Sequence, residues 1–154
     1  MLRVFCVSTI LFFLSMSAHS ALPDCPGDEI EAWDDCYGNA AWANGDAYSG
    51  EFKAGKKSGA GTFVWSNGQE CGGEWKDDKL HGEASCQFAN GDSYVGEFKA
   101  NTKSGEGDFS WADGQNCEGE WKDDELHGEA LCVFADGSEY EGEFKAFKKS
   151  GEGH

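Results

Sequence analysis

The chain has 154 residues, room for one ordinary domain and little for two. Its 22 glycines come with only 2 prolines and 14% aromatics, which excludes a collagen-like rod and disfavours an unstructured chain. Lys and Arg number 12 against 29 Asp and Glu, a net charge of −17; such a surface repels duplexes and polyphosphates, so nucleic acid is not an expected partner.

Residues 1–20, MLRVFCVSTILFFLSMSAHS, carry one charge, Arg3, ahead of an apolar run from Val4 to Met16. The run is too short to span a bilayer, and Ala18 and Ser20 fit the small-residue cleavage pattern. The segment is expected to be a secretory signal peptide cut after Ser20, making the chain secreted or periplasmic. Cys6 and Arg3 then leave together. Six cysteines remain, and the charge becomes one unit more negative. An even cysteine count in an exported chain points to disulfides.

Residues 21–47 form an N-terminal segment that reads as a degenerate repeat unit. Cys25 lies 46 residues before Cys71, and Trp42 lies 46 before Phe88. The repeat is marked by Asn44-Gly45, Asn67-Gly68, Asn90-Gly91, Asp113-Gly114 and Asp136-Gly137, at steps of 23 residues. A fixed period in this range signals a repeat architecture. From Tyr48 to His154 the units are 48–70, 71–93, 94–116, 117–139 and 140–154, four full and the last truncated.

Two kinds of unit alternate. Odd units open with Tyr and carry Phe52, Phe98 or Phe144, then Trp65 or Trp111. Even units open with Cys and carry Trp75 or Trp121, then Phe88 or Phe134. Each unit reads as a β-hairpin. In YVGEFK, Tyr94, Gly96 and Phe98 alternate with Val95 and Glu97, the period of a strand. After a polar loop, Gly105, Gly107, Phe109 and Trp111 alternate in the same way. The Asn-Gly or Asp-Gly that follows is the strongest short turn signal and reverses the chain into the next unit. Helix is disfavoured, since each interior Gly costs roughly 1 kcal/mol against Ala. Paired glycines on the two strands leave gaps across which a neighbouring ring can lie. About ten strands at about 4.8 Å spacing make a ribbon roughly 48 Å long.

The pattern Tyr-x-Gly-Glu-Phe, six residues, Gly-x-Gly-x-Phe, three residues, Asn/Asp-Gly resembles the MORN repeat (membrane occupation and recognition nexus). Residues 48–154 match throughout and 25–47 weakly. The resemblance implies an all-β fold: an elongated, twisted antiparallel sheet of stacked hairpins. It also implies a scaffolding, dimerising or membrane-associating role, usually as an appendage to other domains. Even units depart from the pattern, with Cys71 and Cys117 for the opening Tyr, Cys86 and Cys132 for the second-strand aromatic, and Ala84 and Ala130 for the second Gly.

In an even unit with its loop centred near Asp78-Lys79, Cys71 falls opposite Cys86, and Cys117 falls opposite Cys132 in the next one. Directly opposed residues lie within disulfide reach. The expected bridges are Cys71–Cys86 and Cys117–Cys132, with Cys25–Cys36 left by elimination. Redox work is disfavoured, because no Cys-x-x-Cys occurs.

Other chemistry is sparse. His81 and His127 are two units apart, roughly 19 Å, and neither has a second His nearby, so no metal site is expected. Asp77-Asp78 and Asp123-Asp124 supply too few oxygens for calcium. The odd-unit loops are basic (Lys56-Lys57, Lys103, Lys148-Lys149) and the even ones acidic, which lets neighbouring loops attract along one edge. No catalytic motif or cofactor loop is present. Most of the repeated rings must form the core stripe; Trp65, Trp75, Trp111 and Trp121 are the candidates for an exposed, ligand-stacking row. The expected function is a non-catalytic, exported scaffold that binds other proteins, or a second copy through an open strand edge. The alternatives are phospholipid-surface association, which the acidic charge opposes, or an accessory region of a larger enzyme.

Overall fold

The computed structural model describes residues 22–153; the expected signal peptide and Cys6 lie outside them. Eleven strands form one sheet in chain order: β1 (Cys36–Ala41), β2 (Ala47–Lys53), β3 (Lys56–Val64), β4 (Glu70–Lys76), β5 (Lys79–Gln87), β6 (Ser93–Lys99), β7 (Thr102–Ser110), β8 (Asn116–Lys122), β9 (Glu125–Val133), β10 (Glu139–Lys145) and β11 (Lys148–Gly153). Every neighbouring pair is antiparallel, so each strand touches mainly the next. This is the stacked-hairpin sheet expected from the repeat.

The first unit is the exception, supplying only one strand, β1. Where a preceding strand would run, Asp24 makes a single parallel bridge to Tyr37. Pro23 and Pro26 flank that bridge and cannot donate to a ladder. Trp33 closes this end of the sheet. Its ring meets Phe52 edge-on at 4.8 Å, and its indole N–H donates to the carbonyls of Pro26 and Gly27 at 3.1 and 3.2 Å.

The tightest reversals are not at Asn-Gly but at the expected polar loops. Ala54-Gly55, Asp77-Asp78, Ala100-Asn101, Asp123-Asp124 and Ala146-Phe147 each have both residues at positive φ. That is the two-residue geometry whose twist matches paired strands. The Asn/Asp-Gly pairs sit in wider loops instead. Trp42 N–H donates to Asp46 O at 2.9 Å, while Asp46 N–H donates to Asn44 Oδ1 at 3.2 Å. The Asx side chain thus replaces a backbone turn.

The register carries a second correction. Cys71 does face Cys86, and Gly73 faces Ala84, but Trp75 faces Leu80 and Lys76 faces Lys79. The loop is centred at Asp77-Asp78, and a bulge opposite Glu74 absorbs the difference. The same shift recurs at Glu51, Glu97, Glu120 and Glu143. The carboxylates of Glu51, Glu74, Glu97 and Glu120 lie against Gly59, Gly82, Gly105 and Gly128, all at positive φ, where a Cβ would meet them. The repeated Gly-Glu-Phe and Gly-Glu-Trp acids therefore belong to the bulge.

One face of the sheet holds the core. Tyr48, Phe52, Trp75, Leu80, Cys86, Tyr94, Phe98, Trp121, Leu126 and Phe144 are buried on it. The rings do lie across the glycine gaps, but they come from the same hairpin: Tyr48 covers Gly50 and Gly61, and Tyr94 covers Gly96 and Gly107. Trp75 and Trp121 then donate their indole N–H groups to Gly61 O and Gly107 O at 2.9 and 3.0 Å.

On the opposite face Glu83 faces Glu97, Glu106 faces Glu120, and Glu129 faces Glu143. Directly opposed like charges cost about 0.2–1 kcal/mol. Burial, and then the Glu97 and Glu74 carboxylates, push the Glu83 carboxyl above its ordinary value. A carboxyl raised in the folded state favours folding when protonated and opposes it once pH rises past the raised value. Glu83→Gln is therefore expected to stabilise the protein slightly at neutral pH, with the gain fading as pH falls below the raised value. Denaturant midpoints at pH 7 and pH 4 check this, and a loss at pH 7 contradicts it.

Candidate functional site

The three expected cysteine pairs sit at bonding distance. The S–S distances are 2.05 Å for Cys25–Cys36, 2.05 Å for Cys71–Cys86 and 1.99 Å for Cys117–Cys132. The two even-unit bridges lie on the ring-bearing face, in the places that Tyr48–Phe63 and Tyr94–Phe109 hold in odd units.

The four candidate tryptophans divide. Trp75 and Trp121 are 5% and 3% exposed, with their N–H groups already bound to backbone carbonyls. They belong to the core and offer a ligand no face, which corrects their assignment as binding residues. Trp65 and Trp111 are half-buried. Each leans on the phenylalanine two residues earlier, Phe63 or Phe109, at 4.5 Å. Trp42, Phe88 and Phe134 complete the row and were missed as binding candidates. Every member stands two residues before an Asn/Asp-Gly pair, and its N–H closes the following loop, as in Trp65 to Gln69 O and Phe88 to Asp92 O, both at 2.8 Å. Successive rings are two strands apart, about 9.6 Å. Between Trp65 and Phe88 opens a cleft of about 530 Å³, floored by the Cys71–Cys86 bridge and by Leu80.

Lysines enter the same face. The Lys57 ammonium lies 5.3–5.9 Å from the rings of Trp42, Tyr48, Phe63 and Trp75. Lys103 repeats this with Phe88, Tyr94, Phe109 and Trp121 at 5.6–5.9 Å. Lys149 lies 4.8 Å from Phe134 and 4.3 Å from Tyr140. Asp78 and Asp124 complete two of these cages, each 3.1 Å from its ammonium while also accepting the lysine's backbone N–H at 2.9 Å. The alternating basic and acidic loops thus attract as expected. Side chains of Lys57 and Lys103 are only 15% exposed, because their stems lie along the rings.

Charge is divided across the width of the sheet. All eleven lysines lie within two residues of a tight turn, on one long edge. The Asn/Asp-Gly edge carries Asp46, Asp92, Asp113 and Asp136 and no lysine or arginine. Hydrogen bonds hold three of these carboxyls below the ordinary value: Ser66 N–H on Asp46, Gln115 N–H on Asp113, and the Ser138 hydroxyl on Asp136. Among the described residues no group of three or more His, Cys, Asp or Glu could hold a metal ion. The arrangement is equipped to bind: rings in a row, an anionic margin and a cleft.

The family described as MORN repeat matches residues 48–70, 73–93, 94–116 and 117–139. No curated protein matches the chain. Among solved structures, the SAS-4 (dCPAP) TCP domain of Drosophila melanogaster, in complex with a Proline Rich Motif of Ana2 (dSTIL), aligns with a TM-score of 0.37. The alignment is 10% identical and covers 68% of this chain and 70% of that one.

Proposed function

The chain belongs to the MORN repeat family, and we propose that it is a non-catalytic scaffold of an exported, oxidising setting whose ring-bearing face holds an extended polypeptide partner. The row of rings running along the sheet from Trp42, which is exposed, to the half-buried Trp65, Phe88, Trp111 and Phe134 is the observation that carries this. A thin, elongated face offers many shallow contacts in line and suits an extended partner. The three cysteine pairs at bonding distance favour the oxidising setting.

The test is photo-crosslinking capture by the mature, oxidised protein, with mass spectrometry of the joined peptides. Crosslinks are expected on the ring row, beside Trp65, Phe88 and Trp111. Crosslinks confined to the opposite face, around Val95 and Leu131, overturn the reading. The lysine-bearing edge supports a second reading, docking on anionic lipid. Lys57 and Lys103 are already paired with aspartates, and the net charge opposes it. Co-sedimentation with acidic but not neutral vesicles would favour this second reading over the first.

A further inference from the structure

The five rings of the row are not equivalent. Fifteen residues after each comes the position that faces the cage: Lys57 after Trp42, Leu80 after Trp65, Lys103 after Phe88, Leu126 after Trp111 and Lys149 after Phe134. Trp42, Phe88 and Phe134 therefore receive a lysine from their own chain. Among the described residues no cation lies over Trp65 or Trp111.

The margin beside the rings alternates in step. Asp46 Oδ1 accepts the N–H of Ser66, the residue after Trp65, and Asp92 Oδ1 accepts the N–H of Ala112, the residue after Trp111, both at 2.9 Å. For Phe88 and Phe134 the equivalent positions, one unit earlier in the chain, are Gln69 and Gln115. A carboxylate thus accompanies each ring that lacks a lysine, and an amide stands beside two of the three rings that receive one, Phe88 and Phe134. The filled cages show what this face accepts: an ammonium on aromatic faces, with an aspartate beside it.

We propose that Trp65 with Asp46, and Trp111 with Asp92, are two sites for cationic side chains, arginine above all, of one extended basic polypeptide. The inference rests on the polypeptide-binding reading above and names its partner's chemistry. A planar guanidinium stacks on an aromatic face and bonds a carboxylate at the same time. Trp65 and Trp111 are four strands apart, about 19 Å, which an extended chain covers in about six residues. Six is an even step, so both side chains leave the same side of the partner.

The probe is a synthetic peptide whose only charges are two arginines six residues apart, titrated into the mature, oxidised protein by calorimetry and tryptophan emission. Replacing either arginine by citrulline, its uncharged isostere, is expected to weaken binding about tenfold. Moving the arginines to a spacing of three is expected to leave the affinity of a singly charged peptide. Trp65→Ala and the surface change Asp46→Asn are each expected to cost as much as one citrulline, while Gln69→Ala costs little. Equal binding of the arginine and citrulline peptides, lost in Trp65→Ala, overturns the cation assignment and leaves the polypeptide reading standing. Indifference to spacing, or no peptide binding while crosslinks form on the ring row, also overturns it. Displacement of the peptide by a neutral oligosaccharide, with no crosslinks, overturns both.

Discussion

Tyr94→Ala is expected to lower the unfolding free energy by about 3–5 kcal/mol, the cost of removing a fully enclosed ring. Tyr94 is 0% exposed, and its ring contacts fall on three strands, its own β6 and the neighbouring β7 and β8. Its ring meets Phe98 at 5.2 Å, Phe109 at 6.4 Å and Trp121 at 5.4 Å. It fills the space over Gly96 and Gly107, where no Cβ fits. The hydroxyl donates to Glu97 O at 3.3 Å, so Tyr94→Phe is expected to lose only about 0.5–1.5 kcal/mol. Gly107→Ala is expected to cost about 1–3 kcal/mol by forcing a methyl group into the ring. Combined with Tyr94→Ala, the same methyl enters vacated space, and the double variant is expected to be more stable than the sum of the two losses predicts. Denaturant midpoints for the four proteins give the coupling. Strict additivity would remove the ring from its place over the glycine.

That coupling explains which parts of the molecule could be read from residues alone. The hairpins, their faces and the cysteine pairing were legible because each unit repeats the same solution, so Gly96, Gly107 and Tyr94 recur as Gly50, Gly61 and Tyr48. The bulge was not legible. It inserts its extra residues beside Glu74 and removes them again in the tight turn at Asp77-Asp78, so the spacing of Cys71 and Cys86 is the same with or without it. Trp65 and Trp75 look alike as aromatic letters, and what separates them is place. Trp75 lies within β4, where the Gly61 carbonyl of the neighbouring strand takes its indole N–H, while Trp65 stands just past the end of β3, where its backbone N–H closes a loop. The lysine cages were hidden for a different reason. A lysine next to a turn reads as a solvated charge, and only the lateral stacking of hairpins lays its stem along four rings. Pro23 and Pro26 were visible, yet their effect on the first unit depends on an edge that only the assembled sheet defines.

Loss of the two even-unit bridges is expected to have the largest effect of all. Each closes a loop of 15 residues, worth about 3 kcal/mol. Together they amount to a large share of the 5–15 kcal/mol that holds an ordinary domain. A thiol reductant is therefore expected to lower the thermal midpoint of the mature protein steeply, and Cys71→Ala/Cys86→Ala to do so for one unit. The bridge stands where an odd unit packs a tyrosine against a phenylalanine, so the alanine pair loses packing as well as the link. Cys71→Tyr/Cys86→Phe does not repair it alone. Tyr48 and Tyr94 need glycine on both strands beneath them, whereas the even units carry Ala84 and Ala130 opposite Gly73 and Gly119. Adding Ala84→Gly is expected to recover part of the lost midpoint, in oxidant or reductant alike. A triple variant no better than the alanine pair would show that the two kinds of unit are not alternative fillings of one site. Partial recovery would mean that the cysteines exchange packing for a covalent link, a substitution that serves the chain only where thiols stay oxidised.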